Sequence, residues 1–529
     1  MFLIMSGAYV GQELESEFGK LPPSFLPLGN RRLFQYQVAL APDNVNVYLS
    51  VPETFSLSSV DLAWLESKNV SVLYIPEGLN LGASLTAAIN LSGEILDKPL
   101  HVLYGDTVFN NIPNGDDIIT VSSARDNYNW AVISNNNKYL LENYISNSQE
   151  HTQKIIDGYF KFSNPRELIK CITQSEWNFI NGVNKYHINI GLTAVDSDGW
   201  LDFGHVNTYY SSKAKFTTQR AFNELTITPM WIEKSSVKND KIKAESNWFS
   251  TLPYSLRRHI PQYLGEKEIN GKISYRLEYL YLTALNELFV FAKLSSQRWK
   301  QILEDCIDFL IECKEYNCNH DKTHSTNSLN TLFGEKTKQR LKEYCIDKDI
   351  NLNDEWIYND SDKISLKKII EDTEGHLPLE GEISIIHGDF CFSNILYDFR
   401  SGNIKTIDPR GITHDGHMTL YGDIHYDIAK LSHSILGLYD WIIAGYYNVD
   451  INERVIKFSI PEEHSHKEIQ QIFINIIEEK FGLKPHCLYA MQIQLFLSML
   501  PLHSDDFARQ EALFANVFRL HNKFTRLIQ

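Results

Sequence analysis

Asp389, Asn394 five residues on, and Asp408 beyond a short hairpin carry the side chains that phosphoryl transfer requires. They stand in Ile386-His387-Gly388-Asp389-Phe390-Cys391-Phe392-Ser393-Asn394 and Ile407-Asp408-Pro409-Arg410-Gly411. In that chemistry one carboxylate orients the attacking hydroxyl, while an Asn and a second Asp hold the Mg²⁺ that bridges the nucleotide phosphates. Alone, each residue would mean little, because Asp and Asn are common turn formers. Here the apolar runs Ile383–Ile386 and Asn394–Tyr397 flank the loop and read as strands that would hold it.

The same stretch resembles the aminoglycoside phosphotransferase and choline kinase family, whose pattern is His-Gly-Asp-x4-Asn, Ile-Asp, then Gly-Asp-x-x-Tyr-Asp-hydrophobic-Ala. The third piece is Gly422-Asp423-Ile424-His425-Tyr426-Asp427-Ile428-Ala429. The resemblance implies a bilobal α+β kinase-like fold, with Asp389 as catalytic carboxylate and Asn394 and Asp408 as Mg²⁺ ligands. Asp427 would brace the catalytic loop; a plain helix N-terminal charge is the simpler reading. Pro409-Arg410 departs from the family, which often has Trp there, and bears on the substrate side.

Upstream, Phe222–Thr228 and Met230–Ser235 alternate like an antiparallel pair, with Thr228-Pro229 at the turn. Trp231-Ile232-Glu233-Lys234 resembles the kinase strand whose Lys grips ATP phosphates, and Glu245, on a helical stretch Lys241–Phe249, is its natural partner. Each could equally be a surface charge. Ile273–Leu280 reads as two strand fragments running into a helix, which makes Tyr279 a candidate hinge residue against the adenine.

The first two hundred or so residues alternate short apolar strands with helical patterns, which predicts an α/β domain with a mostly parallel, Rossmann-like sheet. Strands are expected at Phe2–Met5, Val45–Ser50, Val70–Ile75 and Leu100–Tyr104, and Gly82 lies at a glycine-bearing helix entry. Tyr104-Gly105-Asp106 and Trp200-Leu201-Asp202-Phe203-Gly204 each end a strand in a carboxylate, at the edge where α/β sheets bind ligands. For either alone, a turn-forming Asp is the plainer reading.

In order and spacing these pieces resemble the sugar-phosphate nucleotidyltransferase family. Ser6–Gly11, with Gly11 last, stands for its Gly-rich loop, Pro22–Gly29 for its Pro-Lys-x-Leu-x-Pro segment, and Gly82–Leu85 for its base-facing helix. His187–Leu192 stands for its Asn-x-Gly strand, and Asp106 and Asp202 for its metal ligands. Glu13 and Pro23 replace the expected Arg and Lys, which neutralise charge on the leaving pyrophosphate. Lys20, Arg31 or Arg32 could stand in, or could be solvated surface charges.

With 529 residues, two or three domains are expected. We delimit a nucleotidyltransferase-like domain at 1–212, a kinase N-lobe at 213–290 and a C-lobe at 291–529. Hydrophobic content of 43% and charged content of 22% are those of a soluble globular protein. A formal charge of −16 argues against nucleic acid or anionic membrane as partner, and no window is apolar enough for a membrane span. Met1–Met5 is too short for a secretory signal and reads as a buried strand. Seven scattered Cys point to a reducing cytoplasm; Cys313, Cys318 and His320 lack an evident fourth metal ligand. Pro485–Phe524 reads as a helical pack with Leu497–Pro501 a buried helix end, and His503 to Arg509 as a capped helix start or a substrate contact.

The expectation is a cytoplasmic bifunctional enzyme using Mg²⁺, ATP and a second NTP such as CTP or GTP. It would phosphorylate a sugar, polyol or amino alcohol and activate it as an NDP derivative, for bacterial surface polysaccharide synthesis. The alternative is a kinase whose first domain is a non-catalytic sugar-nucleotide-binding module.

Overall fold

Short runs of β-branched and aromatic residues at Phe2–Met5, Val47–Pro52, Val70–Ile75 and Leu100–Tyr104 pair in parallel in a computed structural model of the protein. The structure describes residues 1–123, 131–134, 140–143, 154–220, 225–317, 331–378, 381–413, 416–461 and 464–529. By its contacts the chain divides into two units, Met1–Phe216 with Phe291–Lys293, and Thr217–Val290 with Leu294–Gln529. The described whole is mixed α/β, with several sheets and many helices.

In the first unit, Phe2–Met5 is buried on both faces, as a central parallel strand must be. The sheet is mixed rather than mostly parallel. Lys154–Phe162 runs antiparallel to both Leu100–Tyr104 and Ile118–Ser123, and Thr193–Asp196 then pairs in parallel with Ile118–Ser123. A two-stranded ladder beside it pairs Thr107–Val108 with Leu201–Asp202, setting Asp202 opposite Thr107. His187–Leu192, expected as a strand, instead ends the helix Phe179–Asn189 and leaves it in a loop. Asn178 caps that helix through its side chain, and Phe179, Val183 and Tyr186 bury one stripe at helical spacing.

In the second unit, Leu225–Ile227, Trp231–Ser235, Lys272–Glu278 and Tyr263–Ile269 form an antiparallel sheet in that spatial order. Residues 222–224 of the first predicted strand lie outside the described residues. Lys272–Glu278 is one continuous strand, not two fragments, because Tyr263–Ile269 pairs along its length. The helix Asn239–Thr251 buries Ile242, Glu245, Trp248 and Phe249. Farther on, Pro485–Met499 is buried on all sides from Leu488 to Met499, as befits a central helix. The chain leaves it through a short 3₁₀ turn, Leu500–His503, that contains Pro501. No described helix is long and apolar enough to cross a membrane.

Candidate functional site

Ile383–Ile385 delivers the chain to His387, and Ile395–Asp398 with Asn403–Thr406 forms the hairpin that returns it to Asp408. Between them the loop is pinned from several directions. Both oxygens of buried Asp427 accept backbone N–H groups, from His387 at 2.6 Å and Gly388 at 2.8 Å. Burial pushes the Asp427 carboxyl up to about 7, against the pull of those donors and of Arg410. His387 is fully buried, and burial lowers its pKa to about 4, so the ring is neutral. Its Nε2 lies 2.9 Å from the Ile407 carbonyl and its Nδ1 3.3 Å from the Asp389 N–H. That pair fixes the tautomer: Nε2 carries the proton and Nδ1 accepts.

Asp389 is held on two sides. Asn394 Nδ2 donates to its Oδ2 at 3.0 Å and to its backbone carbonyl at 2.9 Å, while Lys430 Nζ lies 2.8 Å from Oδ1. Burial alone would raise this carboxyl, but Lys430, then Arg410, hold it well below the usual range. The carboxylate is therefore a fixed anion that orients a hydroxyl more readily than it strips a proton.

Lys234 Nζ bridges two carboxylates, Glu245 Oε2 and Asp408 Oδ1, each at 2.9 Å. Burial opposes its charge, yet Asp408 and Glu245 outweigh that and raise its pKa. Glu245 is 1% exposed and also accepts from Tyr275 Oη at 2.7 Å. Asp408 adopts a left-handed φ of 57°, a conformation that costs a non-glycine residue energy and turns its carboxylate toward Lys234. Tyr279 follows the strand Lys272–Glu278, its N–H donating to Met230 O at 3.1 Å.

A hard cation takes oxygen donors, and Mg²⁺ commonly uses one or two carboxylates with substrate phosphates and water. Among the described residues Asn394 Oδ1 accepts only from Ser393 Oγ, at 3.4 Å, while its amide nitrogen is held by Asp389. With the Asp408 carboxylate, this donor set fits Mg²⁺. Among the described residues no group of three or more His, Cys, Asp or Glu could hold a metal, and Cys318 and His320 lie outside them.

In the first unit, Asp106 and Asp202 converge although neither sequence segment showed it. A Cβ built on Gly204 would stand 2.6 Å from Asp106 Oδ2 and 3.4 Å from Asp202 Oδ1, so a larger residue there would displace the Asp106 carboxylate. Burial, then the neighbouring Asp202, raises the Asp106 carboxyl to about 7. Asp202 Oδ2 is buried without a hydrogen bond, and His205 Nδ1 stands 3.8 Å away. Two close carboxylates with an unsatisfied oxygen fit a divalent cation. Without metal, the raised Asp106 pKa makes the folded state bind protons that the unfolded chain releases, so stability falls as pH rises from about 4 through about 7. Asp106→Asn should flatten that slope and melt above wild type at about pH 8, measured by thermal unfolding in chelator.

Gly105 lets the strands approach: an added Cβ would meet Met5 O at 2.7 Å. Gly82 has a packing reason of its own, since an added Cβ would lie 2.2 Å from Trp177 O. Gly82→Ala should therefore destabilise the first unit by about 1–3 kcal/mol, read by denaturant unfolding. Gly11 has open space around it and an ordinary φ of −66°, so nothing steric demands glycine there. Of the three stand-in cations, Arg32 is committed to the fold. It is buried, donates to the carbonyls of Phe25 and Phe291, and pairs with Asp61 at 3.5 Å. Lys20 is exposed over the Tyr9 ring and pairs with Glu77, Arg31 is exposed, and Glu13 is exposed in the first turn of Gln12–Phe18.

Sequence reasoning missed Lys430 and Trp248. Trp248 Nε1 donates to Ile386 O at 2.9 Å, tying the helix that carries Glu245 to the Asp389 loop. Lys430 left one legible signal: it is the one Lys or Arg in Ile424–Ile435, a helix otherwise buried almost throughout.

No family model and no curated protein matches the chain. Among solved structures it is similar to a nucleoside-diphosphate-sugar pyrophosphorylase from Vibrio cholerae at 12% identity, covering 40% of this chain and 99% of that one, TM-score 0.33. An inositol-1-phosphate CTP transferase from T. maritima matches at 15% identity, 42% of this chain and 97% of that one, TM-score 0.32. An aminoglycoside phosphotransferase from Streptomyces rimosus, solved with ADP and streptomycin, matches at 11% identity, 58% and 96% coverage, TM-score 0.28. At such TM-scores these likenesses carry no weight for activity; the side-chain geometry does.

Proposed function

We propose that the chain is a bifunctional small-molecule kinase and nucleotidyltransferase. The observation that carries the kinase reading is Lys234 held at 2.9 Å from both Glu245 and Asp408. Lys234 grips the ATP phosphates, and Asn394 Oδ1 and the Asp408 carboxylate hold Mg²⁺, which supplies charge neutralisation on the phosphates when bound. Asp389 orients the substrate hydroxyl in line with the γ-phosphorus. The hydroxyl oxygen forms the new P–O bond, the bond to ADP breaks, and the hydroxyl proton leaves toward Asp389 or water. Asp427 and His387 keep the loop from moving as charge shifts.

For the first unit, Asp106 and Asp202 would hold a divalent cation on an NTP while the phosphomonoester attacks its α-phosphorus and pyrophosphate leaves. The product would be an NDP-linked sugar, polyol or amino alcohol, of the kind consumed in surface polysaccharide assembly in the bacterial cytoplasm. A specific observation favours a second reading, a kinase with a non-catalytic sugar-nucleotide-binding module. Glu13 is exposed where a cation is expected, and Arg32 is spent on Asp61.

Mass spectrometry of a sugar, polyol and amino-alcohol panel with Mg²⁺, ATP and each other NTP separates the readings. An NDP-linked product in wild type, replaced by its phosphomonoester in Asp106→Ala, supports the bifunctional enzyme. A phosphomonoester alone in both supports the binding module, and no ATP-dependent product at all defeats the kinase reading.

A further inference from the structure

Lys430 and Arg410 act on Asp389, and Lys336 and Arg340 act on the same group of cations, in a chain whose formal charge is −16. Asp389 turns Oδ2 toward Asn394 and Oδ1 toward Lys430, so Lys430 lies on the side away from Asn394. Tyr426, one helical turn before Lys430, accepts from Arg410 at 2.7 Å, with the guanidinium 4.6 Å from its ring centroid. Phe333 packs on the same ring at 5.8 Å and brings in the start of the helix Lys336–Asp347. Lys336 and Arg340 are four residues apart on that helix and so share a face.

Their fields overlap. Burial, then Arg410, Arg340 and Lys430, lower the Lys336 pKa. Burial would raise the Tyr426 phenol, yet Arg410, Lys430 and Lys336 pull it below its ordinary value. Lys430 is paired with Asp389, but among the described residues Lys336, Arg340 and Arg410 make no ion pair. Asp389 and Asp427 favour the Arg410 charge, which leaves Lys336 and Arg340 as the cations of the group with no carboxylate beside them among the described residues. A partly buried cation without an anion is costly, and a bound anion relieves that cost. On the kinase reading the nucleotide phosphates belong with Lys234, Asn394 and Asp408, and Asn394 meets the Asp389 oxygen that Lys430 does not.

We propose that the alcohol phosphorylated at Asp389 carries an anionic group, a carboxylate or a phosphate, received by Arg410, Lys336 and Arg340. This rests on the kinase reading and names its substrate class. It gives Arg410, one of the Pro409-Arg410 pair that follows Asp408, a role in specificity.

The test is calorimetric titration of inorganic phosphate and of acetate into the full chain saturated with ADP and Mg²⁺. Wild type, Arg410→Gln/Lys336→Gln and Arg410→Lys are compared. Saturable anion binding in wild type, at least tenfold weaker in the double variant and largely restored in Arg410→Lys, is the expected result. ADP affinity should be equal in all three, which shows that the variants fold. Tighter phosphate binding points to a phosphate ester as substrate, tighter acetate binding to an acid. No saturable anion binding, or equal affinity in the double variant, overturns the proposal. Failure of wild type to bind ADP would instead strike the kinase reading.

Discussion

Asp389→Asn should lower ATP-dependent phosphorylation by about 10²–10⁴-fold while leaving Mg·ATP affinity nearly unchanged. The proposed nucleotide side comprises Lys234, Glu245, Asn394 and Asp408, none of which depends on the Asp389 charge for its partners except the Asn394 amide. Asn is the informative replacement because its carbonyl oxygen can still accept from Lys430, whereas Ala would leave that ammonium unpaired. The loss should fall on kcat, since an oriented hydroxyl matters chiefly in the transition state. Single-turnover kinetics would separate the effect from product release. Wild-type rates of phosphoryl transfer in Asp389→Asn would remove this residue from the chemistry.

Asp427→Ala should have the largest effect on stability. It strips the acceptors from the N–H groups of His387 and Gly388, both buried, at about 1–3 kcal/mol for each donor left unsatisfied. The loop also loses its anchor, so phosphorylation should fall with stability. Urea unfolding followed by tryptophan fluorescence reports directly, because Trp248 contacts the same loop through Ile386 O and the His387 ring. A midpoint equal to wild type would make Asp427 an ordinary helix N-terminal charge.

Much of the fold was legible because its signals are local. Phe2–Met5, Val70–Ile75 and Leu100–Tyr104 form as strands at the expected residues, and the buried helix from Pro485 ends just before Pro501. The failures share a cause. His187–Leu192 resembles an Asn-x-Gly strand motif, but burying Phe179, Val183 and Tyr186 as one stripe carries a helix through Asn189. Lys272–Glu278 looks interrupted until its partner strand supplies a continuous ladder. At Gly82 the backbone of Trp177, far along the chain, adds a packing demand for glycine that no local pattern records.

The sequence by itself determined the chemistry-bearing residues and their local spacing: Asp389 with Asn394, then Asp408 after a hairpin, and Asp427 at a helix start. Spacing within a loop is set by bond geometry and short-range hydrogen bonds, which a linear pattern records. Only the tertiary structure decided which distant groups meet. Lys234 reaches Asp408 across 174 residues, Asp106 and Asp202 close around Gly204, and Arg410 joins Lys430 beside Asp389. Electrostatic interaction depends on separation in space and on burial, and neither is written in the order of residues along a chain.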